Sequence, residues 1–165
     1  MTQPVTQPLT FVPSSSGFEL LCGAEVLARI VKEGDAGTRA EVGQLSWELT
    51  VEGDREALAA TWQVVARDVA GEEAAAYYHG SMRGGRLKIG DRSGSLRREL
   101  GLGTEWRLRF PPDAGLTLRP TQRPEGMQLE LEYIAGSAEI PELLLALVCW
   151  SIVTAEATGP ARLGG

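Results

Sequence analysis

The sequence predicts an all-β protein with one helix, in which an antiparallel β-barrel wraps around a hydrophobic C-terminal helix. From Phe18 to Tyr133, apolar and polar residues alternate with a period of two, which is typical of strands with one buried face. Residues 140–155 are instead apolar on every side of a helix, with an unbroken apolar run from Leu143 to Cys149. Such a helix must be surrounded. A flat sheet would cover only one side of it, whereas a curled sheet buries all of it.

The chain of 165 residues predicts a single domain. Residues 1–17 are rich in Thr, Gln, Pro and Ser and are predicted to form a flexible tail or an extended lead-in rather than core. Residues 18–157 are predicted to form the barrel domain, and residues 158–165 are predicted to form a C-terminal tail. The N-terminus has neither the basic nor the apolar segment of a signal peptide, so we expect a cytoplasmic protein.

The strands are predicted from alternation between turn residues. In chain order they are 18–22, 25–32, 44–51, 57–66, 74–80, 86–90, 95–99, 105–110, 115–119 and 127–133. In 57–66 and 74–80 the alanines also permit a helix, but the aromatic and β-branched residues favour a strand. Residues 91–94 predict a hairpin turn. Pro111-Pro112-Asp113 is predicted to end the strand 105–110.

The predicted helix spans about residues 140–156. Pro141 is accepted in a first helical turn, and Glu139 and Glu142 suit the positive end of the helix dipole. The sixteen residues 140–155 would span about 24 Å. They are fewer than the roughly 20 residues that a helix needs to cross a bilayer. The helix is therefore predicted to lie inside the protein rather than in lipid.

Charge is unevenly distributed along the chain. The net charge of −6 argues against a nucleic-acid partner, yet residues 83–109 contain three acidic and eight basic residues. Such a local basic segment can meet a phosphate or an anionic headgroup. The competing interpretation is a solvated face that is balanced by acidic residues on neighbouring strands.

The candidate ligand-binding residues come from this basic segment. Arg86 and Lys88 lie two apart on one predicted strand, as do Arg107 and Arg109 on another, so each pair points away from the core. If the two strands are neighbours, the four cations share one patch that can bind phosphate. Two further candidates, at the loop ends, are Arg83 and Arg92. In the competing hypothesis these cations pair with Glu99, Glu130 or Glu132.

No other pattern predicts a chemical site. The glycine-rich segment 79–85 is predicted to be a hairpin connection, with an anion-contacting loop as the alternative. His79 is the only histidine, and Cys22 and Cys149 have no metal-ligand spacing, so neither a metal nor a cofactor is expected. Nothing assembles a nucleophile, a base and an oxyanion donor, and the sequence therefore favours a protein that is not an enzyme.

Three segments carry a resemblance to a known family: YYHGSMRGGRLKIGDRSGSLRREL, the strand WRLRF and the terminal PELLLALVCWSIV. In this order they resemble the tubby C-terminal-like superfamily, which includes the LURP-one-related proteins and the phospholipid scramblases. The resemblance covers roughly Phe18 to Glu156. It implies an antiparallel barrel threaded by a hydrophobic C-terminal helix, and a non-catalytic domain associated with membranes or lipid headgroups. No motif aligns the phosphoinositide-binding residues of tubby with positions in this chain.

Three hypotheses for function follow. The first is peripheral recognition of an anionic membrane surface or a phosphorylated ligand by the Arg86/Lys88/Arg107/Arg109 face. The second is a protein-interaction or scaffold domain that forms a homo-oligomer and has no lipid affinity. The third is a carrier barrel for a small apolar ligand, which requires an empty interior and therefore a helix packed outside the barrel.

Overall fold

The computed structural model describes residues 8–34, 37–53, 61–81, 83–101, 103–112, 114–135 and 140–158. These residues form twelve strands and one helix. The strands are β1 (Leu9–Ser14), β2 (Gly17–Cys22), β3 (Glu25–Lys32), β4 (Thr38–Val42), β5 (Leu45–Gly53), β6 (Trp62–Arg67), β7 (Glu73–Ser81), β8 (Gly84–Ile89), β9 (Arg92–Leu100), β10 (Thr104–Phe110), β11 (Ala114–Arg123) and β12 (Gly126–Ala135), and the helix is α1 (Glu142–Thr158).

The strands form a closed antiparallel barrel. Each strand pairs with its neighbours in the chain, and β1 pairs with β12 to close the ring. The closing contact is short, with Leu9, Thr10 and Phe11 of β1 opposite Leu131, Glu130 and Leu129 of β12. Closure of this kind reduces the free edges at which sheets aggregate. The predicted fold class, an antiparallel barrel with one C-terminal helix, is confirmed.

The helix fills the barrel. It contacts β3 and β4, β6 and β7, and β11 and β12, which lie on different sides of the ring. Every side chain from Leu143 to Val153 is buried, as the absence of a polar stripe predicted. The interior that the carrier hypothesis needs is therefore occupied. No helix in the described part of the chain is both long and apolar enough to cross a membrane.

Two strands were not anticipated from the alternation. Residues 9–14, expected in a tail or lead-in, form β1, with Leu9 and Phe11 buried. These two apolar residues are too few to reveal a strand amid the polar composition around them. β4 was missed because Ala40 is its only buried residue.

The two ambiguous segments are strands, as predicted. The segments 57–66 and 74–80 correspond to β6 and β7, although residues 57–60 lie outside the described part of the chain. The turn between β8 and β9 is tighter than predicted. It consists of Gly90 and Asp91 alone, with Gly90 at a φ of 60°, so β9 already begins at Arg92.

Candidate anion-binding groove

The predicted cations lie on the outer surface of the barrel, but their two strands are not neighbours. Arg86 and Lys88 are on β8, Arg107 and Arg109 are on β10, and β9 lies between these strands. The condition for a patch on adjacent strands is therefore not met. With strands about 4.8 Å apart, the two pairs are separated by roughly 10 Å.

β9 contributes two residues, Ser95 and Arg97, to the outer face between these two pairs of cations. Ser95 is paired with Arg86 on one side and with Arg109 on the other, while Arg97 is opposite Arg107. Four arginines therefore surround the small Ser95 side chain on one outer face. Sequence reasoning missed Arg97, although the alternation of residues in its strand already indicated that its side chain points outward. The alternation of β9 places Ser95, Arg97 and Glu99 outward, opposite to the buried Leu96.

A surface groove of about 770 Å³ runs over β9, β10 and the start of β11. Arginines, prolines and small residues line it, together with Glu99, Leu108 and Phe110. We call it the arginine groove, and it includes Ser95, Arg97, Glu99, Arg107, Arg109, Pro111, Pro112, Ala114 and Gly115. Beneath it, Gly94 allows β9 and β10 to approach closely, because a Cβ at this position would lie 2.9 Å from the Phe110 ring.

The cations of this face differ in their partners. Arg107 Nε lies 3.3 Å from Glu99 Oε2 and 3.4 Å from Glu105 Oε1, while Lys88 Nζ lies 4.0 Å from Glu73. Cross-strand pairing, the competing hypothesis, thus holds for Arg107 through Glu99. Glu132 pairs instead with Arg119, at 3.0 Å.

Three arginines of the outer face keep their guanidinium groups available. Within the described residues, Arg86, Arg97 and Arg109 make no ion pair. Two of them, Arg97 and Arg109, line the arginine groove. Pairing with carboxylates therefore neutralises only part of the predicted patch.

The two loop-end candidates have different surroundings. The Arg92 guanidinium lies 4.3 Å from the centre of the Phe110 ring and donates a hydrogen bond to the Pro111 carbonyl at 3.2 Å. Arg92 therefore braces the turn at the proline end of the groove. Arg83 lies in the β7–β8 connection, where its amide donates to Ser81 Oγ at 3.2 Å. Neither residue lines the groove.

The glycine-rich segment 79–85 serves strand pairing. A Cβ on Gly85 would overlap the Tyr78 carbonyl, so glycine permits β7 and β8 to lie together. His79 points inward and is buried. Its Nδ1 lies 2.7 Å from the Tyr77 hydroxyl, and its ring stacks on Trp62 at 4.5 Å. The only histidine is thus separated from the arginine groove by the barrel wall.

A second charged contact, which sequence reasoning missed, lies inside the barrel. Arg98 Nε donates to Glu156 Oε1 at 2.7 Å, and its Nη2 donates to Oε2 at 3.4 Å. The Trp106 indole donates to the same Oε1 at 2.9 Å. These contacts join β9 and β10 to the last part of α1. The two residues of the ion pair, Arg98 and Glu156, are 58 positions apart in the sequence.

Cys22 and Cys149 are free thiols, and burial raises the pKa of the Cys149 thiol. Among the described residues, no cluster of three or more His, Cys, Asp or Glu side chains is placed to hold a metal ion. No protein-family model, curated protein or solved structure matches this chain.

Proposed function

We propose that this protein is a non-catalytic binding module that recognises a phosphorylated ligand through the arginine groove. The ligand is either the headgroup of an anionic lipid at a membrane surface or a free phosphorylated molecule. One observation carries the proposal: Arg97 and Arg109 line the same groove of about 770 Å³ and make no ion pair with any described residue.

The chemistry of the groove supports phosphate. A guanidinium presents a planar fork of donors that matches two phosphate oxygens, and charge-assisted hydrogen bonds of this kind are the strong ones. Arg97 and Arg109 place two such guanidinium groups in the lining of one groove, in a chain whose net charge is −6. Both residues stand on paired strands, which fixes the backbone positions from which the two side chains reach the ligand.

Binding, rather than catalysis, fits the residues that line the groove. Ser95 is the only hydroxyl residue among them, and the only histidine lies on the inner side of the barrel wall. We also propose membership of the tubby C-terminal-like superfamily and a cytoplasmic location. The family proposal rests on the resemblance in sequence together with the closed barrel around a C-terminal helix.

The test is a titration of the protein with vesicles and with soluble phosphate compounds. Anionic and neutral vesicles are compared by co-sedimentation at low and physiological salt, and phenyl phosphate and inorganic phosphate are compared by calorimetry. We expect binding that weakens with salt and falls at least tenfold in the Arg97→Ala/Arg109→Ala double variant. The matched control is Arg29→Ala. Arg29 is an exposed arginine on β3 that pairs with Glu19 on the neighbouring strand β2 and does not line the groove.

The results separate the ligand sources. Binding to anionic vesicles alone supports a lipid headgroup, and binding to soluble phosphates alone supports a free ligand. Absence of both, or binding that survives the double variant, contradicts the proposal. A dimer measured by light scattering would then favour the protein-interaction hypothesis.

A further inference from the structure

The arginine groove is electrically asymmetric along its length. At one end, Arg107 is paired with Glu99 and Glu105, and Glu105 also contacts Arg119 at 3.1 Å. At the other end, the described lining residues Pro111, Pro112, Ala114 and Gly115 carry no charge. Among the described lining residues, the available positive charge therefore lies between a carboxylate-bearing end and an uncharged end. The Arg92 guanidinium near the prolines is already engaged by the Phe110 ring and the Pro111 carbonyl.

Glu99 is the residue that closes the first end. Glu99 lines the groove, and its carboxylate lies 3.3 Å from Arg107 Nε. It therefore forms the ion pair with Arg107 that an anionic ligand could otherwise form. A second phosphate group extending toward this end would meet a negative charge and an arginine that is already paired. Like charges at close range disfavour binding. Toward the prolines, a second phosphate would find no cation among the described lining residues.

The size of the groove favours a ligand larger than phosphate. A volume of about 770 Å³ falls within the range of small-molecule pockets, which is about 300–1,000 Å³. A phosphate held by Arg97 and Arg109 leaves the surface of Pro111, Pro112 and Gly115 uncovered. An uncharged organic group attached to the phosphate would cover it.

We infer, on the basis of the proposed function, that the groove takes phosphate monoesters with an uncharged organic part, and that Glu99 is the specificity-determining residue that excludes polyphosphates. The phosphate binds between Arg97 and Arg109, and the organic part lies over the Pro111–Pro112 end. Glu99 acts by its charge on the ligand and by holding Arg107.

The test uses three soluble probes: phenyl phosphate, inorganic phosphate and pyrophosphate. Their affinities are measured by calorimetry for the unmodified protein, for Glu99→Gln and for the control Glu19→Gln, which removes a carboxylate from an exposed ion pair elsewhere. For the unmodified protein we expect phenyl phosphate to bind at least fivefold more tightly than inorganic phosphate, and pyrophosphate to bind no more tightly than inorganic phosphate. In Glu99→Gln, the affinity for pyrophosphate relative to phenyl phosphate should rise about tenfold. In Glu19→Gln this ratio should not change.

Failure of this inference can be told apart from failure of the proposed function. If no soluble probe binds but anionic vesicles do, only this inference is overturned. If neither the probes nor the vesicles bind, or if the Arg97→Ala/Arg109→Ala variant binds as well as the unmodified protein, both are overturned. If binding depends on the two arginines but pyrophosphate binds most tightly, or Glu99→Gln leaves the ratio unchanged, only the specificity inference is overturned. Glu99 is partly exposed at the surface, so the Gln variant is expected to fold.

Discussion

Arg97 and Arg98 are consecutive residues of one strand, yet they lie in opposite environments. Arg97 points outward into the arginine groove and makes no ion pair with any described residue, whereas Arg98 points into the barrel with a side chain that is 11% exposed. Arg98 is held by Glu156, which is 7% exposed and also accepts the Trp106 indole. The period of two in a strand is the only local difference between them.

The comparison separates a structural arginine from an available one. A buried ion pair requires both partners, because removing one leaves a charge without solvent or counter-charge. Glu156 also lies in the last turns of α1, where the helix dipole disfavours a carboxylate, so Arg98 and Trp106 compensate for its position. An exposed arginine without a partner contributes little to the fold and remains free to bind a ligand.

The largest effect is expected at Arg98. The substitution Arg98→Ala leaves Glu156 as a buried charge with only the Trp106 hydrogen bond, and we expect a loss of about 3–5 kcal/mol in the free energy of unfolding. Urea denaturation monitored by tryptophan fluorescence measures this loss. The exposed pair Arg29–Glu19 provides the control, because Arg29→Ala should cost less than about 1 kcal/mol.

A double replacement sharpens the interpretation of this first effect. Arg98→Met combined with Glu156→Gln removes both charges together and keeps a side-chain oxygen that can accept from the Trp106 indole, and replacing a buried ion pair by neutral groups is often neutral or stabilising. We expect the double variant to unfold at a urea concentration close to that of the unmodified protein. A double variant as unstable as Arg98→Ala would show that the cost lies in packing rather than in the unpaired charge.

The next effect concerns the neutral groups of the interior. Burial raises the pKa of the Cys149 thiol and of the Tyr77 hydroxyl above their usual values of 9.0 and 10.0. In the unfolded chain both groups release their protons at a lower pH than in the folded protein. Their stabilising contribution is therefore complete below about pH 8 and is lost as the pH rises, by about 1.4 kcal/mol per pH unit for each group.

Urea titrations at pH 7.5 and pH 10.5 test this dependence. We expect a loss of about 3 kcal/mol between the two pH values from these groups together. Cys149→Ala removes one of them and should reduce the loss by about 2 kcal/mol. An unchanged loss in that variant would mean that the thiol does not contribute to alkaline unfolding.

The smallest effect on stability is expected at Arg97. Arg97→Ala should change the free energy of unfolding by no more than about 0.5 kcal/mol, which is typical of surface substitutions without a structural partner. The same variant should bind phenyl phosphate at least several times more weakly. If Arg97→Ala instead destabilised the protein as strongly as Arg98→Ala, the two residues would share a structural role, and the comparison would fail.

The sequence by itself determined the general architecture. Alternation revealed most of the strands, and the apolar run from Leu143 to Cys149 required an enclosing sheet, because a helix without a polar face cannot meet water. The outward direction of Arg86, Arg107 and Arg109 also followed from local alternation. Each of these properties depends on the spacing of residues that are close in the chain.

Only the tertiary structure decided which of these residues meet. The order of strands placed β9 between the two predicted basic strands, which added Arg97 to the face and paired Glu99 with Arg107. The contact between Arg98 and Glu156 joins positions 58 apart, and β1 closes the barrel with only two buried residues. Such contacts depend on how the barrel closes around the helix, and no local pattern in the chain encodes their partners.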